Sequence, residues 1–168
     1  MVSWTEFAEA EPEMAARGLE HLKIPIAYFA TVRKDGSPRL HPLSPLFADG
    51  RLFVSITASA PRRHDLMRNR RYSLHTLPPD LGPDYDEFEF NVTGSARRVT
   101  DTATWDAVSD AEQARGRPRL NDDDWLFELD IEMVLTTVWK HEMVKTGDQW
   151  FPKAGVVPQP TRRVWKAP

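Results

Sequence analysis

The sequence predicts a mainly β fold, an antiparallel barrel or sandwich of about six strands with a few flanking helices. Apolar and polar residues alternate with a period of two through most of the chain, which is typical of half-buried strands. Asp-Gly pairs at 35–36 and 49–50 separate the first of these segments, and such pairs favour tight hairpins. A length of 168 residues suits one domain.

The N-terminal segment is predicted to be helical, because apolar residues recur at helical spacing over residues 4–22. Ser3 or Thr5 can cap its start with a side-chain oxygen. Pro12 suits the first turn of a second helical piece, where a missing N–H costs nothing. Two consecutive helices are therefore expected before the first strand.

Three strands follow, over residues 26–32, 38–47 and 51–57, and their short Asp-Gly turns predict that they pair as a meander. Pro42 and Pro45 each remove a backbone donor from the second strand. That strand is therefore expected at an edge of the sheet, or bulged.

The remaining elements alternate along the chain: a short helix after residue 61, strands at 71–77, 87–99 and 125–139, a turn-rich loop at 78–86, and a helix at 102–115. Gly94 is a predicted bulge. Asp101 can cap the helix that follows it. On the last strand, alternation places one set of apolar residues on a common face: Trp125, Phe127, Leu129, Ile131, Met133 and Leu135.

The predicted domain covers residues 1–151, and residues 152–168 form a proline-rich tail that is expected to be extended. The longest apolar run, 24–32, is much shorter than the roughly 20 residues of a membrane span. The acidic first residues do not resemble a secretion signal. A soluble cytoplasmic protein that binds no membrane is the expectation.

Composition excludes several functions. A net charge of -3 argues against general nucleic-acid binding. The absence of cysteine excludes disulfides and thiolate metal sites. The chain lacks the glycine spacing of dinucleotide-binding and P-loop folds. The five histidines are scattered, so no metal site is predicted.

One stretch concentrates positive charge: residues 59–71, "SAPRRHDLMRNRR". Ser59 can cap the helix and Pro61 fits its first turn. Arg62 and Arg63 then stand where the helix dipole disfavours a cation, so that a bound anion would compensate them. A phosphate site and a solvated helix face explain this pattern about equally well, and a nucleic-acid patch explains it less well.

The arginines at the other end of this helix need no ligand, because a helix C-terminus favours cations. They are Arg68, Arg70 and Arg71. We therefore predict that they belong to a solvated face.

Two neighbouring segments could complete a phosphate site. Arg39 and His41 share one face of the second strand. On the third strand, Ser55 and Thr57 face away from an aliphatic side that suits a barrel interior and includes Ile56. If the first three strands pair as a meander, Arg39 lies beside Ser55 and Thr57 and can reach the same anion.

Together these segments resemble the pyridoxamine 5′-phosphate oxidase-like proteins of actinobacterial type, a group of flavin-binding split barrels. The resemblance covers residues 3–140, and its motifs are "IAYFATVRKDGSPRLHPLSPLFADGRLFVSI", "SAPRRHDLMRNRRYSLHTL", "DEFEFNVTGSARRV" and "LFELDIEMVLTTVW". It implies a split antiparallel β-barrel and a homodimer that binds FMN at two symmetric interface sites.

The resemblance also implies a set of cofactor-binding residues. Arg39 and Arg62, with Arg63 beside it, match basic residues that hold the FMN phosphate, and Ser55 and Ile56 match the strand that lines the flavin. Glu89 matches a polar residue from the second subunit, and Trp139 an aromatic near the isoalloxazine. The full predicted set is Arg39, His41, Ser55, Ile56, Thr57, Ser59, Arg62, Arg63, Glu89 and Trp139.

The expected function is that of an FMN-dependent oxidoreductase with a small-molecule substrate that the sequence does not identify. No catalytic residue is predicted. The tail does not match the arginine-bearing segment that binds the pyridoxal substrate in true oxidases, so vitamin B6 oxidation is not expected. A deazaflavin-dependent reductase and a non-catalytic flavin-binding or storage protein are the alternatives. Haem is less favoured, because no histidine is evidently placed as an axial ligand.

Overall fold

The computed structural model describes residues 1–23, 26–76 and 86–168, so most of the predicted loop at 78–86 lies outside the described residues. The helices are α1 (Trp4–Ala10), α2 (Pro12–Leu22), α3 (Arg62–Arg68) and α4 (Thr102–Ala114). The strands are β1 (Ala27–Val32), β2 (Pro38–Leu43), β3 (Pro45–Ala48), β4 (Arg51–Ile56), β5 (Arg71–Thr76), β6 (Asp86–Arg98), β7 (Trp125–Lys140), β8 (Met143–Thr146), β9 (Gln149–Pro152) and β10 (Pro160–Lys166).

The main sheet is antiparallel, with the order β2-β1-β5-β6-β7-β4-β3, and β10 pairs with β7 off this path. Leu43 ends β2 at one edge and Pro45 begins β3 at the other edge. One residue can join the two edges only because the sheet curls back on itself. The result is a half-barrel, and it confirms the predicted mainly β, split-barrel class.

Both hairpins of the predicted meander form at the Asp-Gly turns: β1 pairs with β2, and β3 pairs with β4. The expected single sheet of three neighbouring strands does not form, because β2 and β3 lie at opposite edges and β4 pairs next with β7. The predicted single strand over residues 38–47 breaks at Ser44, between two prolines that cannot donate to a ladder. Pro42 and Pro45 do lie on edge strands, as their missing donors require.

Helices α1 and α2 close one side of the half-barrel. Ser3 caps α1 with a capping box to Glu6, and Pro12 begins α2, which confirms both sequence predictions. Phe7 is fully buried, and its ring lies 5.1 Å from that of Trp165 on β10. None of the helices in the described residues is long and apolar enough to cross a membrane.

The core has two parts. The larger cluster fills the concave side of the sheet and includes Leu52, Val54 and Ile56 of β4. The smaller cluster lies on the other face of β4, where Phe53 packs under α4 with Val108. Asp101 caps α4 by accepting from the Thr104 amide at 2.8 Å, as predicted.

A bulge changes the buried face of β7. The β6–β7 register shifts between Thr93 and Gly94, at the predicted glycine, and Glu132 is the extra residue. A Cβ at Gly94 would lie 1.9 Å from the Asp130 carbonyl oxygen, so the strands approach too closely there for a side chain.

The predicted apolar face of β7 is therefore correct up to Ile131 and wrong beyond it. Phe127, Leu129 and Ile131 are buried in the core. After the bulge, Val134 takes the inner position, and Met133 and Leu135 turn to the outer face. The extended tail after Pro152 includes β10, which pairs along β7.

Candidate functional site

The basic stretch forms α3, a helix of seven residues that packs against β1. Its N-cap is Pro61, and no side chain of the described residues caps its first turn, so the predicted Ser59 cap is wrong. Ser59 is exposed in the turn between β4 and α3. A helix end carries a partial charge of about one half. The full charges of the side chains therefore dominate this region.

Asp65 is the centre of the polar contacts that hold α3 to the sheet. Its carboxylate is 2% exposed and accepts hydrogen bonds from Arg39 Nε at 2.6 Å, Arg68 at 2.5 Å and Thr31 Oγ1 at 3.2 Å. Burial opposes ionisation, but Arg39, Arg68 and Thr31 together hold the pKa of Asp65 below its ordinary value. Asp65 therefore joins β1, β2 and α3 through one negative charge.

The contacts of Arg39 and Arg68 differ from those that the sequence predicted. Arg39 does not lie beside β4, because β2 pairs with β1, yet it reaches the basic helix through Asp65. Arg68 is not simply solvated, because it forms an ion pair with the same carboxylate. The contact of Arg39 comes from α3 packing over the β1–β2 hairpin, whereas the contact of Arg68 is an i,i+3 pair within α3 itself.

His41 and Arg62 each have a buried nitrogen without a partner. His41 lies two residues after Arg39 on the same face of β2. Neither His41 Nε2 nor Arg62 Nε has a hydrogen-bond partner among the described residues. Such atoms are costly to leave unpaired, so they mark a place where a ligand is expected to bind.

The charges around His41 are mostly positive. Burial, followed by the charges of Arg62, Arg39 and Arg33, lowers the pKa of His41, with Asp65 acting in the opposite sense. Burial also lowers the pKa of Arg62, although a guanidinium remains charged at neutral pH. We call Arg39, His41 and Arg62 the basic cluster.

The basic cluster has more positive charge than its carboxylate can balance, since Asp65 is shared between Arg39 and Arg68. An open cleft of about 710 Å³ adjoins it, with a lining that is itself largely basic: Arg33, Lys34, Asp35, Arg39, Pro61, His64, Asp65 and Arg68. An anion with several acceptor oxygens is the ligand that this arrangement suits chemically.

Arg63 does not join the basic cluster. Its guanidinium carbon lies 4.8 Å from the ring centre of Trp125, and its Nε donates to His64 Nε2 at 3.2 Å. Arg98 approaches the same indole at 3.7 Å. Arg63 is therefore engaged with the start of β7 and with a separate cleft of about 340 Å³ that Trp125 and Arg98 line.

The candidate residues of β4 lie on its two faces. Ser55 donates through Oγ to Asp124 Oδ2 at 3.2 Å, and Thr57 is exposed just beyond the strand. Ile56 is 0% exposed and packs in the core, so it presents no surface to a ligand in this chain.

Glu89 and Trp139 lie on the opposite face of the sheet from the basic cluster. Phe88 and Phe90 point into the core, which turns Glu89 outward, and the register places Trp139 opposite Glu87 on the same outer face. Arg39 and His41 pair with the inward-facing Thr31 and Phe29. One chain therefore does not bring these two groups together.

Asp65 and Thr31 are site residues that the sequence predictions missed. Asp65 carried a usable signal, because it is the single acid in a basic run and stands three residues from both Arg62 and Arg68. Thr31 carried none, since its contact with Asp65 spans 34 positions of the chain.

Comparison with known proteins identifies the family. The sequence profile of the pyridoxamine 5′-phosphate oxidase family matches residues 12–137, which is well over half of the chain. The chain belongs to this family. This match confirms the family resemblance that the sequence motifs suggested. No protein of curated function matches the chain.

Solved structures share the fold at low sequence identity. A conserved hypothetical protein of Mycobacterium tuberculosis is 16% identical, with a TM-score of 0.59 over 71% of this chain and 81% of its own. A NimC/NimA family protein of Clostridium acetobutylicum is 13% identical, with a TM-score of 0.56 over 88% and 91%. The haem storage protein HutZ of Vibrio cholerae is 22% identical, with a TM-score of 0.55 over 73% and 89%.

Proposed function

We propose that this protein binds FMN and acts as a flavin-dependent oxidoreductase on a small molecule. The observation that carries the proposal is a pair of buried nitrogens, His41 Nε2 and Arg62 Nε, that lie in a region of excess positive charge and find no partner in residues 1–23, 26–76 and 86–168. A phosphate monoester supplies both the negative charge and the acceptor oxygens that these atoms need. Family membership supports FMN as the bearer of that phosphate.

In this proposal, the residues of the chain bind and orient the cofactor. Arg62 and His41 donate to the phosphate, and Arg39 is held toward it by Asp65. Ser55 and Thr57, on either side of the buried Ile56, border the flavin. The flavin supplies hydride transfer when bound, and the protein supplies its position and electrostatic environment.

The proposal includes a homodimer, and the positions of Glu89 and Trp139 support it. Within one chain these residues and the basic cluster lie on opposite faces, and β6 is three strands away from β2 in the sheet order. At about 4.8 Å per strand, that separation is roughly 14 Å. A second copy that brings its outer face to the cleft would supply both residues.

The outer face has the composition expected for such a contact. It exposes Tyr28 at 41%, Leu40 at 61% and Val164 at 54%. These three side chains lie on the same face as Leu135, because the pairings from β2 through β1, β5, β6 and β7 to β10 align them. Exposed apolar residues on one face of a sheet are typical of protein interfaces.

The proposal is tested by identifying what the protein binds. We expect the protein expressed in cells to retain a yellow cofactor, and mass spectrometry of the released molecule to identify it as FMN. Titration of cofactor-free protein with FMN should be saturable, and riboflavin, which lacks the phosphate, should bind much more weakly. Equal affinity for FMN and riboflavin would contradict the phosphate role, and the absence of any flavin binding would contradict the function.

A second set of measurements separates an enzyme from a storage protein. Reduction of bound FMN by a nicotinamide, followed by reoxidation with a defined acceptor, would establish turnover. Stable binding without turnover would instead support the storage alternative. A deazaflavin coenzyme, which also carries phosphate, would be recognised by its own mass and absorption.

Haem is the other ligand that the structural neighbours raise, since HutZ is a haem storage protein. His41 has a free buried nitrogen, as an axial ligand requires. However, the guanidiniums of Arg39 and Arg62 surround it, and they favour an anion over a metal centre. A Soret band in the purified protein would favour haem over FMN.

A further inference from the structure

We propose that His41 is a proton-linked ligand of the cofactor phosphate: it is neutral in the free protein and takes one proton from solvent when the phosphate binds. The inference rests on the proposed function and adds a specificity-determining residue to its site. It begins from the geometry of the basic cluster, in which a buried imidazole nitrogen and a buried guanidinium nitrogen both lack partners within the described part of the chain.

The charged groups that face His41 come from three elements. α3 contributes Arg62 and Asp65, the same strand contributes Arg39, and the turn after β1 contributes Arg33. Phe29, its partner across the β1–β2 ladder, is apolar. Burial, and then three cations against one carboxylate, disfavour a positive charge on the ring, and together they hold the pKa of His41 below its ordinary value.

A phosphate dianion reverses this balance. Its two negative charges offset Arg39 and Arg62, so that protonation of His41 becomes favourable rather than unfavourable. The protonated ring then donates an N–H to a phosphate oxygen, and the buried Nε2 gains the partner it lacks. The proton comes from solvent, and no bond of the cofactor is formed or broken.

The consequence is a pH-dependent affinity for phosphate-bearing ligands. Because the bound state holds one more proton, FMN binding strengthens as the pH falls through the pKa of His41 in the complex. One linked proton changes the affinity by at most about tenfold per pH unit. Riboflavin has no phosphate, so its binding should not depend on His41.

The experiment is calorimetry of FMN binding to the dimeric protein at pH 6.5, 7.5 and 8.5, in two buffers of different ionisation enthalpy. We expect the wild type to take up protons on binding FMN. His41→Gln keeps a neutral donor of similar size, and it should abolish most of this uptake and flatten the pH profile. His21→Gln is the matched control, because His21 lies on α2 against Phe88 and is not part of the basic cluster, and it should behave like the wild type.

A second readout does not require a variant to fold. Ring resonances of the five histidines can be followed by NMR against pH, with and without saturating FMN. One histidine should titrate at a lower pH than normal in the free protein and at a clearly higher pH in the complex.

The outcomes separate the two proposals. If FMN binds with the same proton uptake in the wild type and in His41→Gln, the role of His41 is wrong, and FMN binding stands. If neither protein binds FMN at any pH, the proposed function fails, and this inference fails with it. The FMN phosphate itself titrates at about pH 6 and also exchanges protons on binding. This contribution is the same in the wild type and in His41→Gln, so the difference between the two proteins isolates the proton taken up by His41.

Discussion

The two ends of α3 carry the same kind of side chain in opposite circumstances. Near the C-terminus, Arg68 donates to Asp65 at 2.5 Å, and Arg71 just beyond the helix pairs with Glu132. At the N-terminus, Arg62 has a buried Nε with no partner among the described residues. The comparison shows that positive charge alone does not identify a binding residue. The binding candidate is the arginine that is buried without an acceptor.

The largest expected effect concerns the paired end of the helix. Asp65→Asn leaves Arg39 and Arg68 without their counter-charge, and we expect the free energy of unfolding to fall by about 2–4 kcal/mol. Urea unfolding measures it. The matched control is Glu132→Gln, whose ion pair with Arg71 is largely exposed and should contribute less than about 1 kcal/mol. Equal losses of unfolding free energy in Asp65→Asn and Glu132→Gln would show that the buried carboxylate of Asp65 stabilises the fold no more than an exposed ion pair does.

The next effect concerns the unpaired end. Arg62→Ala should weaken FMN binding by about 1.5–3 kcal/mol, the value of a hydrogen bond to a charged group. Stability should change little, because the Arg62 Nε has no hydrogen-bond partner in the part of the chain that the structure describes. Fluorescence titration of FMN measures the affinity, with Arg71→Ala as the control that should bind normally. Unchanged affinity in Arg62→Ala would show that Arg62 does not bind the phosphate.

A smaller effect appears in acid. The pKa of Asp65 is lower in the folded state, so its ion pairs stabilise the protein above the unfolded-state pKa of an aspartate, about 3.9. That stabilisation is lost as the pH falls through the lower, folded-state pKa. Denaturant unfolding of the wild type and Asp65→Asn between pH 7 and pH 3 should therefore show two stabilities that converge in acid. A constant difference across this range would contradict the assignment.

The smallest effect is expected at Arg63. Its contact with Trp125 is a cation–π interaction, so Arg63→Ala should cost about 0.5–1 kcal/mol of stability. FMN affinity should change much less than in Arg62→Ala, because Arg63 points away from the basic cluster. Thermal unfolding and the same FMN titration test both statements. A loss of FMN affinity equal to that of Arg62→Ala would show that Arg63 contributes to FMN binding as much as Arg62 does, and would contradict the difference inferred between them.

Local features of the fold were predictable because local chemistry controls them. The capping box at Ser3, the Asp101 cap and the bulge at Gly94 depend on residues within a few positions or on one missing side chain. The edge positions of Pro42 and Pro45 follow from donors that proline lacks. These predictions hold in the structure.

Long-range features were not predictable from the same patterns. The alternation in β7 could not show that Glu132 is an extra residue, because the bulge depends on the register with β6. The Asp-Gly turns predicted both hairpins correctly, but they could not show that the middle strand breaks at Ser44 and that its two halves lie at opposite edges of the sheet. Ser59 had the right residue type for a cap, yet α3 begins after Pro61.

The sequence by itself determined that the chain is mainly β, where its edges lie and which stretch carries the positive charge. Tertiary structure alone decided which arginine is left without a partner. The reason is distance along the chain: Asp65 takes its hydrogen bonds from Arg39, 26 positions away, and Thr31, 34 positions away, as well as from nearby Arg68. Pairing across such distances depends on how α3 packs over the β1–β2 hairpin, which no local pattern encodes.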